Sequence, residues 1–222
     1  MAGRGHLDEM LTVDLYVDIV CPWCFIGSER LERVLAGPAP EGELGPVSLT
    51  YHPFMLEPAT PPEGIDIPEM LQRKYGVDPR RIWPRAEAQA REAGIELDLS
   101  KQRIQYPSAP AHTLLRHAHT KGTHRALARD LFRANFLDAR NIADPAVLGD
   151  VAAPHGFSVE ETARLVTDET QLRLTHRAAE AAARTGIDGV PFFVFDHQFS
   201  VGGAQPEAVL REAIARARAA QS

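Results

Sequence analysis

The chain has 222 residues, 44% hydrophobic and 24% charged, with a formal net charge of -6; this suits a globular protein with a sizeable core and leaves little room for long disorder. The acidic balance argues against a general affinity for nucleic acid or anionic membranes, both of which are bound by clustered Lys and Arg. No stretch approaches the roughly 18 consecutive apolar residues of a membrane span, and residues 1–10 lack the apolar run of a signal peptide, so a soluble, cytoplasmic protein is expected.

This length exceeds a typical domain and falls short of two comfortable ones, so one fold with a large insertion competes with two small domains. Patterning begins over residues 13–20, where Val13, Leu15, Val17 and Ile19 alternate with Asp14, Tyr16 and Asp18 at the period of a strand that runs into Cys21. Phe25, Ile26, Leu31, Val34 and Leu35 then recur on one helical face. Glu29, Arg30, Glu32 and Arg33 fall between them as the polar side, and Gly37-Pro38 stops the helix. Val47, Leu49 and Tyr51 alternate again up to His52-Pro53-Phe54, which completes a βαβ unit.

From about residue 67 to residue 185 the patterns are helical almost throughout, punctuated by Gly76, Pro79, Gly94, Pro107, Pro110, Gly122, Pro145 and Gly156. Leu114, Leu115 and Ala118, then Leu127, Leu131 and Ala134, then Val147, Leu148, Val151 and Ala152 mark core faces, and the alanine-rich run 178–183 suits close packing. Strand character returns at Pro191-Phe192-Phe193-Val194-Phe195, turns at Asp196-His197, and resumes with Phe199 and Val201 up to Gly202-Gly203. A last amphipathic helix over 207–219 puts Val209, Leu210, Ala213, Ile214 and Ala217 on one side. Pro206 stands near its first turn, and Arg211, Arg216 and Arg218 read as a solvated face. The order predicts an α/β protein in which residues 1–60 and 186–222 build a four-stranded sheet with flanking helices, and residues 61–185 form an inserted all-helical domain.

Cys21 and Cys24 are the only cysteines. A structural disulfide between residues three apart closes too small a loop to stabilise much, so the pair calls for a chemical role. Cys21 falls where strand gives way to helix, at an N-cap whose unpaired N–H groups and dipole favour an anion, and thiolate is the species that attacks disulfides. Pro22 suits the first helical position because its missing N–H has no partner there anyway. Cys24, one turn further on, is placed to attack a mixed disulfide at Cys21, which makes Cys21 the nucleophile and Cys24 the resolving thiol. Trp23 stands between them at the rim, to contact a substrate or to pack on the helical block. The alternatives are half of a zinc site and a pair of buried apolar thiols. No other cysteine completes a zinc site, and His112, His117, His119 and His124 lack the spacing of a ligand pair, so no metal is expected.

Gly189-Val190-Pro191 precedes the third strand. A proline entering a sheet must sit at an edge or at a strand start; a cis bond is the reading in this context, with trans the alternative. It leaves the Val190 backbone free to pair with an extended substrate beside Cys21. Asp18 reads either as a partly buried base for Cys24 or as a solvent-facing strand residue, and His52 either as a proton carrier near the sulfurs or as a loop histidine.

Cys21-Pro22-Trp23-Cys24 after an alternating strand, with Gly186-Ile187-Asp188-Gly189-Val190-Pro191-Phe192-Phe193, resembles the DsbA family, and its FrnE-like cytoplasmic branch in particular. The resemblance extends to Pro53-Phe54-Met55-Leu56-Glu57-Pro58, Lys74-Tyr75-Gly76, Leu131-Phe132 with Phe136, and Gly203-Ala204-Gln205-Pro206. It implies a thioredoxin fold with an inserted helical domain, a cis-proline loop facing the redox site, and dithiol-disulfide exchange; in the expected cytosolic setting the reductase or isomerase direction is the easier one. Pro22, Trp23, Val190 and Pro191 are the implied substrate contacts. Within Pro107-Ser108-Ala109-Pro110-Ala111-His112, Ser108, Ala111 and His112 match the family, whereas prolines replace its Asn and Asp. Thiol or disulfide substrates, protein or small molecule, are the expected partners, with no bound cofactor, glutathione as a candidate redox co-substrate and a homodimer as an open arrangement.

Two other functions compete. The related kappa-class glutathione transferases and 2-hydroxychromene-2-carboxylate isomerases use a serine near the position of Cys21, but glutathione activation has no need of Cys24. A non-catalytic scaffold on the same fold is the other, and it needs neither thiol.

Overall fold

The computed structural model describes residues 10–37 and 44–221. The readings of residues 1–9 and of Pro38 lie outside these. The chain begins with β1 (Leu11–Val17), α1 (Pro22–Ala36) and β2 (Val47–Pro53). Leu11, Val13, Leu15 and Val17 are fully buried while the residues between them are not, which is why this segment lies as a strand with one face on the core. β1 and β2 are parallel, with Val13 opposite Leu49, so a crossover is needed, and α1 supplies it.

The strand is shorter than its apolar alternation predicts. It stops at Val17, and residues 18–20 turn, with the Cys21 N–H donating to the Asp18 carbonyl at 3.0 Å. Ile19 is fully buried without being paired in the sheet, so burial continued the pattern where backbone pairing did not.

The middle of the chain holds β3 (Ile65–Asp66), α2 (Ile67–Tyr75), α3 (Pro79–Glu92), β4 (Ile104–Gln105), α4 (Ala109–Thr120), α5 (His124–Phe136), α6 (Pro145–Ala152) with a 3-10 turn after it, α7 (Val159–Thr167) and α8 (Glu169–Arg184). The helical insertion therefore carries one addition, the two-residue antiparallel bridge of β3 and β4. Gly64 permits it: at φ +85, a Cβ there would lie 2.3 Å from Ile104 Cγ2 and 2.9 Å from the Gln105 carbonyl. A bridge this short has no period to read.

The chain returns as β5 (Phe192–Phe195), β6 (Phe199–Gly202) and α9 (Glu207–Ala220). β5 lies antiparallel to β1 and to β6, giving one sheet in the order β2-β1-β5-β6 from the two ends of the chain. α4, α5 and α8 all contact β2, and a single buried cluster runs through sheet and insertion. Phe25 of α1 stacks on Phe132 and Phe136 of α5 at ring-centroid distances of 5.3 and 6.0 Å. Arg125–Glu32 and Arg129–Glu29, each at 2.6 Å, tie the same two helices at their edge.

Three side chains correct the amphipathic readings. Arg30 and Arg218 are buried rather than solvated, and Val209 is exposed. The Arg218 guanidinium donates to the carbonyls of Leu44 and Pro46, and Arg216 lies 4.2 Å over the Phe199 ring. Arginine enters the interior when its planar fork meets several acceptors, and polarity alone does not show this.

Candidate active site

Cys21 is the N-cap of α1 in extended conformation, with Pro22 in the first turn; its side chain makes no capping bond and its carbonyl accepts from the N–H groups of Cys24 and Phe25. The following turn of helix carries Cys24 inward. Both cysteines are free thiols, Cys21 at 4% exposure and Cys24 at 0%. Cys24 Sγ accepts the Asp18 N–H at 3.4 Å. Burial above all, then the neighbouring Cys21 sulfur, pushes the Cys24 thiol well above the ordinary range.

The third strand brings a second backbone element to the sulfur. The Val190-Pro191 peptide is cis, and the Cys21 thiol donates to the Val190 carbonyl at 3.8 Å. Pro191 is held close by Gly27 of α1, where a Cβ would sit 2.7 Å from Pro191 Cγ. The Pro191 carbonyl accepts from the Gly203 N–H at 2.8 Å, so the loop at 203–205 is fixed beside it.

Outside the cysteines lies a groove of about 680 Å³ lined by Trp23, Arg85, Gln89, Val190 and the Gly203-Ala204-Gln205 loop. The half-buried Trp23 both lines it and packs on the core, with the Arg85 guanidinium 5.8 Å from its ring. Arg30 forms the support underneath. Its guanidinium donates to the Ala204 carbonyl at 2.7 Å and to Gln89 Oε1 at 2.9 Å, joining α1, α3 and the 203–205 loop.

Asp18 is buried at 1% exposure and is not a solvent-facing strand residue. Its Oδ2 accepts the Leu56 N–H at 2.8 Å, and its negative charge further opposes a thiolate at Cys24. His112 Nε2, from the first turn of α4, lies 3.5 Å from Asp18 Oδ1. His52 is not engaged with the sulfurs: its Nε2 pairs with Asp14 Oδ1 at 2.6 Å and its ring stacks on Tyr16. Among the described residues, no group of three or more His, Cys, Asp or Glu is placed to hold a metal ion, and no helix is long and apolar enough to cross a membrane.

Of the residues singled out in the sequence, Trp23 and Val190 line the groove, Cys21 reaches it through the Val190 carbonyl, and Cys24 lies fully buried one turn behind. Arg85, Gln89 and Asn135 had no place in the sequence reading, and Arg30 had one only on the polar side of its helix. For Arg30 a signal existed: it stands four residues from both Ile26 and Val34, on their buried face. Arg218 stands likewise four from Ile214. Asn135, buried on α5, donates to the Ile19 carbonyl at 3.5 Å and accepts from Gln102 at 3.2 Å, contacts between segments far apart in sequence that no local pattern announces.

The DSBA-like thioredoxin domain family matches residues 12–215. No curated protein matches the chain. Among solved structures, a probable DsbA oxidoreductase of Streptomyces coelicolor superposes with a TM-score of 0.82 at 30% identity, over 93% of this chain and 89% of its own. A 2-hydroxychromene-2-carboxylate isomerase superposes with 0.70 at 15% identity, over 92% and 95%. The cytosolic disulfide reductase DsbM of Pseudomonas aeruginosa, in its structure with GSH, superposes with 0.63 at 19% identity, over 90% and 96%. At those identities the last two share the fold alone.

Proposed function

Because this chain belongs to the DSBA-like thioredoxin domain family, we propose that it is a thiol-disulfide oxidoreductase whose redox centre is Cys21 and Cys24. The observation that carries this is the cysteine geometry: Cys21 against the carbonyl of the groove-lining Val190, with Cys24 buried one turn behind it. Cys21 as thiolate attacks a substrate disulfide, one substrate thiolate leaves, and a mixed disulfide forms at Cys21. Cys24 then loses its proton and attacks the Cys21 sulfur, the second substrate thiolate leaves, and two electrons have passed to the substrate.

The groove supports a small thiol or an extended peptide. A volume of about 680 Å³ lies within the usual range for small-ligand sites, and Arg85 offers a cation to a carboxylate. Glutathione fits as the co-substrate that returns the disulfide to the dithiol: two molecules supply two electrons and leave as glutathione disulfide. The GSH-containing structure of DsbM, a cytosolic reductase, supports the reducing direction by analogy of fold.

The isomerase-like neighbour favours a second reading, glutathione-dependent isomerisation or transfer without a protein disulfide. Cys24 weighs against it. A redox titration against glutathione separates the two. Reversible closure of a Cys21–Cys24 disulfide in the wild-type chain, absent in Cys21→Ser, is the expected result; a folded wild-type chain that never closes it removes the oxidoreductase reading.

A further inference from the structure

The buried turn before the cysteines is completed from the inserted helices. Asp18 and His112 are each 1% exposed, and His112 Nε2, aimed at Asp18 Oδ1 from 3.5 Å, has no hydrogen-bond partner. A formed N–H···O bond spans roughly 2.7–3.2 Å. Buried polar atoms are rarely left unpaired, and an apolar ring would fill the same space without the desolvation cost. The orphan faces a carboxylate whose backbone N–H holds Cys24 Sγ.

We propose that His112 is a positioning residue for the resolving step, forming with Asp18 a buried pair that takes up the Cys24 proton. The proposal rests on the thiol-disulfide reading above. As the Cys24 S–H bond breaks, its electron pair forms the bond to Cys21 Sγ, the bond from Cys21 to the substrate sulfur breaks, and the substrate leaves as thiolate. The proton goes to the Asp18–His112 pair, and the departing thiolate or solvent later takes it. His112 closes on Oδ1 when the pair holds the proton, which fixes the carboxylate of the residue whose N–H holds Cys24 Sγ.

The Asp18 charge bears on Cys24, which the Cys21 sulfur also faces, both from α1. The N–H groups of Leu56 after β2 and of Val20 in the turn donate to the Asp18 carboxylate, Lys74 of α2 donates to the Leu56 carbonyl and pairs with Glu57, and Asn135 of α5 donates to the Ile19 carbonyl. The proton store is therefore local, and half of it belongs to the insertion. A shift of α4 against the sheet changes the redox centre without touching either cysteine.

A single-turnover reaction with a chromogenic aryl disulfide reads the two steps apart: the first aryl thiolate reports attack by Cys21, the second reports resolution by Cys24. In His112→Phe the second release is expected to slow by roughly tenfold or more, with its pH profile displaced from that of the wild type. The first release stays within about twofold of wild type. His112→Gln keeps a donor toward Oδ1 but cannot take up a proton, so it falls between the two, and it serves alone if His112→Phe does not fold. Equal second-release rates in wild type and variants, or both releases falling together with an unmoved pH profile, overturn the role of His112. A wild-type chain without a second release overturns the oxidoreductase reading and this one with it.

Discussion

Replacing Gly27 by alanine tests whether the approach of α1 to Pro191 sets the geometry of the cysteine site. An alanine Cβ would lie 2.7 Å from Pro191 Cγ and 3.4 Å from Phe193 Cζ. Carbon contacts settle at about 3.5–4.0 Å, so the proline ring must retreat by about 1 Å, and a closed ring cannot rotate out of the way. Alanine in a helix gains about 0.8–1.0 kcal/mol over glycine, while overpacking costs about 1–3 kcal/mol. The net is a loss of up to about 2 kcal/mol, or up to about 8 °C in Tm at this size. Gly149 in α6 is the control, because there the nearest atom to a new Cβ is Val159 Cγ1 at 3.5 Å, an ordinary contact. Gly149→Ala is expected to gain about 1 kcal/mol. Since a misplacement of about 1 Å can cost up to about a hundredfold in rate, Gly27→Ala should also slow disulfide exchange while Gly149→Ala leaves it alone. Thermal melts and exchange with a small disulfide read both effects. If Gly27→Ala stabilises as much as Gly149→Ala and keeps the wild-type rate, the close approach does not position the loop.

Arg30→Met should cost about 2–3 kcal/mol by orphaning the Ala204 carbonyl and Gln89, in line with a lost charged hydrogen-bond network, and hydrogen exchange should rise at the 203–205 loop. Arg85→Ala is expected to raise KM for glutathione more than for an uncharged disulfide, since it removes the cation on the groove wall; equal effects on both would place Arg85 outside the binding contacts. The folded dithiol keeps a Cys24 proton that the unfolded chain gives up. Its stability is therefore full below about pH 8.5 and declines as pH rises above that, and alkylation near neutrality should mark Cys21 alone by mass spectrometry. The Asp14 carboxyl is held below its ordinary value first by the hydrogen bond from His52. The stability it contributes is present above about pH 3.9 and lost as pH falls through the lower folded value. Asp14→Asn should flatten that acid limb in urea melts, and an unchanged limb would assign the loss to other carboxyls.

Much of the frame was legible because it is local. The alternation of Val13, Leu15 and Val17, the helical face of Ile26, Leu31 and Val34, and Phe192-Phe193-Val194-Phe195 before the Asp196-His197 turn each follow from the period at which a strand or helix turns its side chains to one face. The spacing of Cys21 and Cys24 across a helix start was legible for the same reason, and so was Pro191 at a strand start. Where the strand ends was not, because Ile19 is buried without being paired. Arg30 and Arg218 follow helical spacing, but only their acceptors at Ala204, Gln89, Leu44 and Pro46 make burying a cation affordable, and those come from distant segments. The sequence by itself determined most of the elements and the place of the cysteine pair at a strand-to-helix junction. Only the tertiary structure decided what surrounds it: Val190 on Cys21, and His112 and Asn135 reaching in from the insertion to Asp18 and Ile19. Those contacts depend on chain closure over long separations, and a one-dimensional pattern carries no record of it.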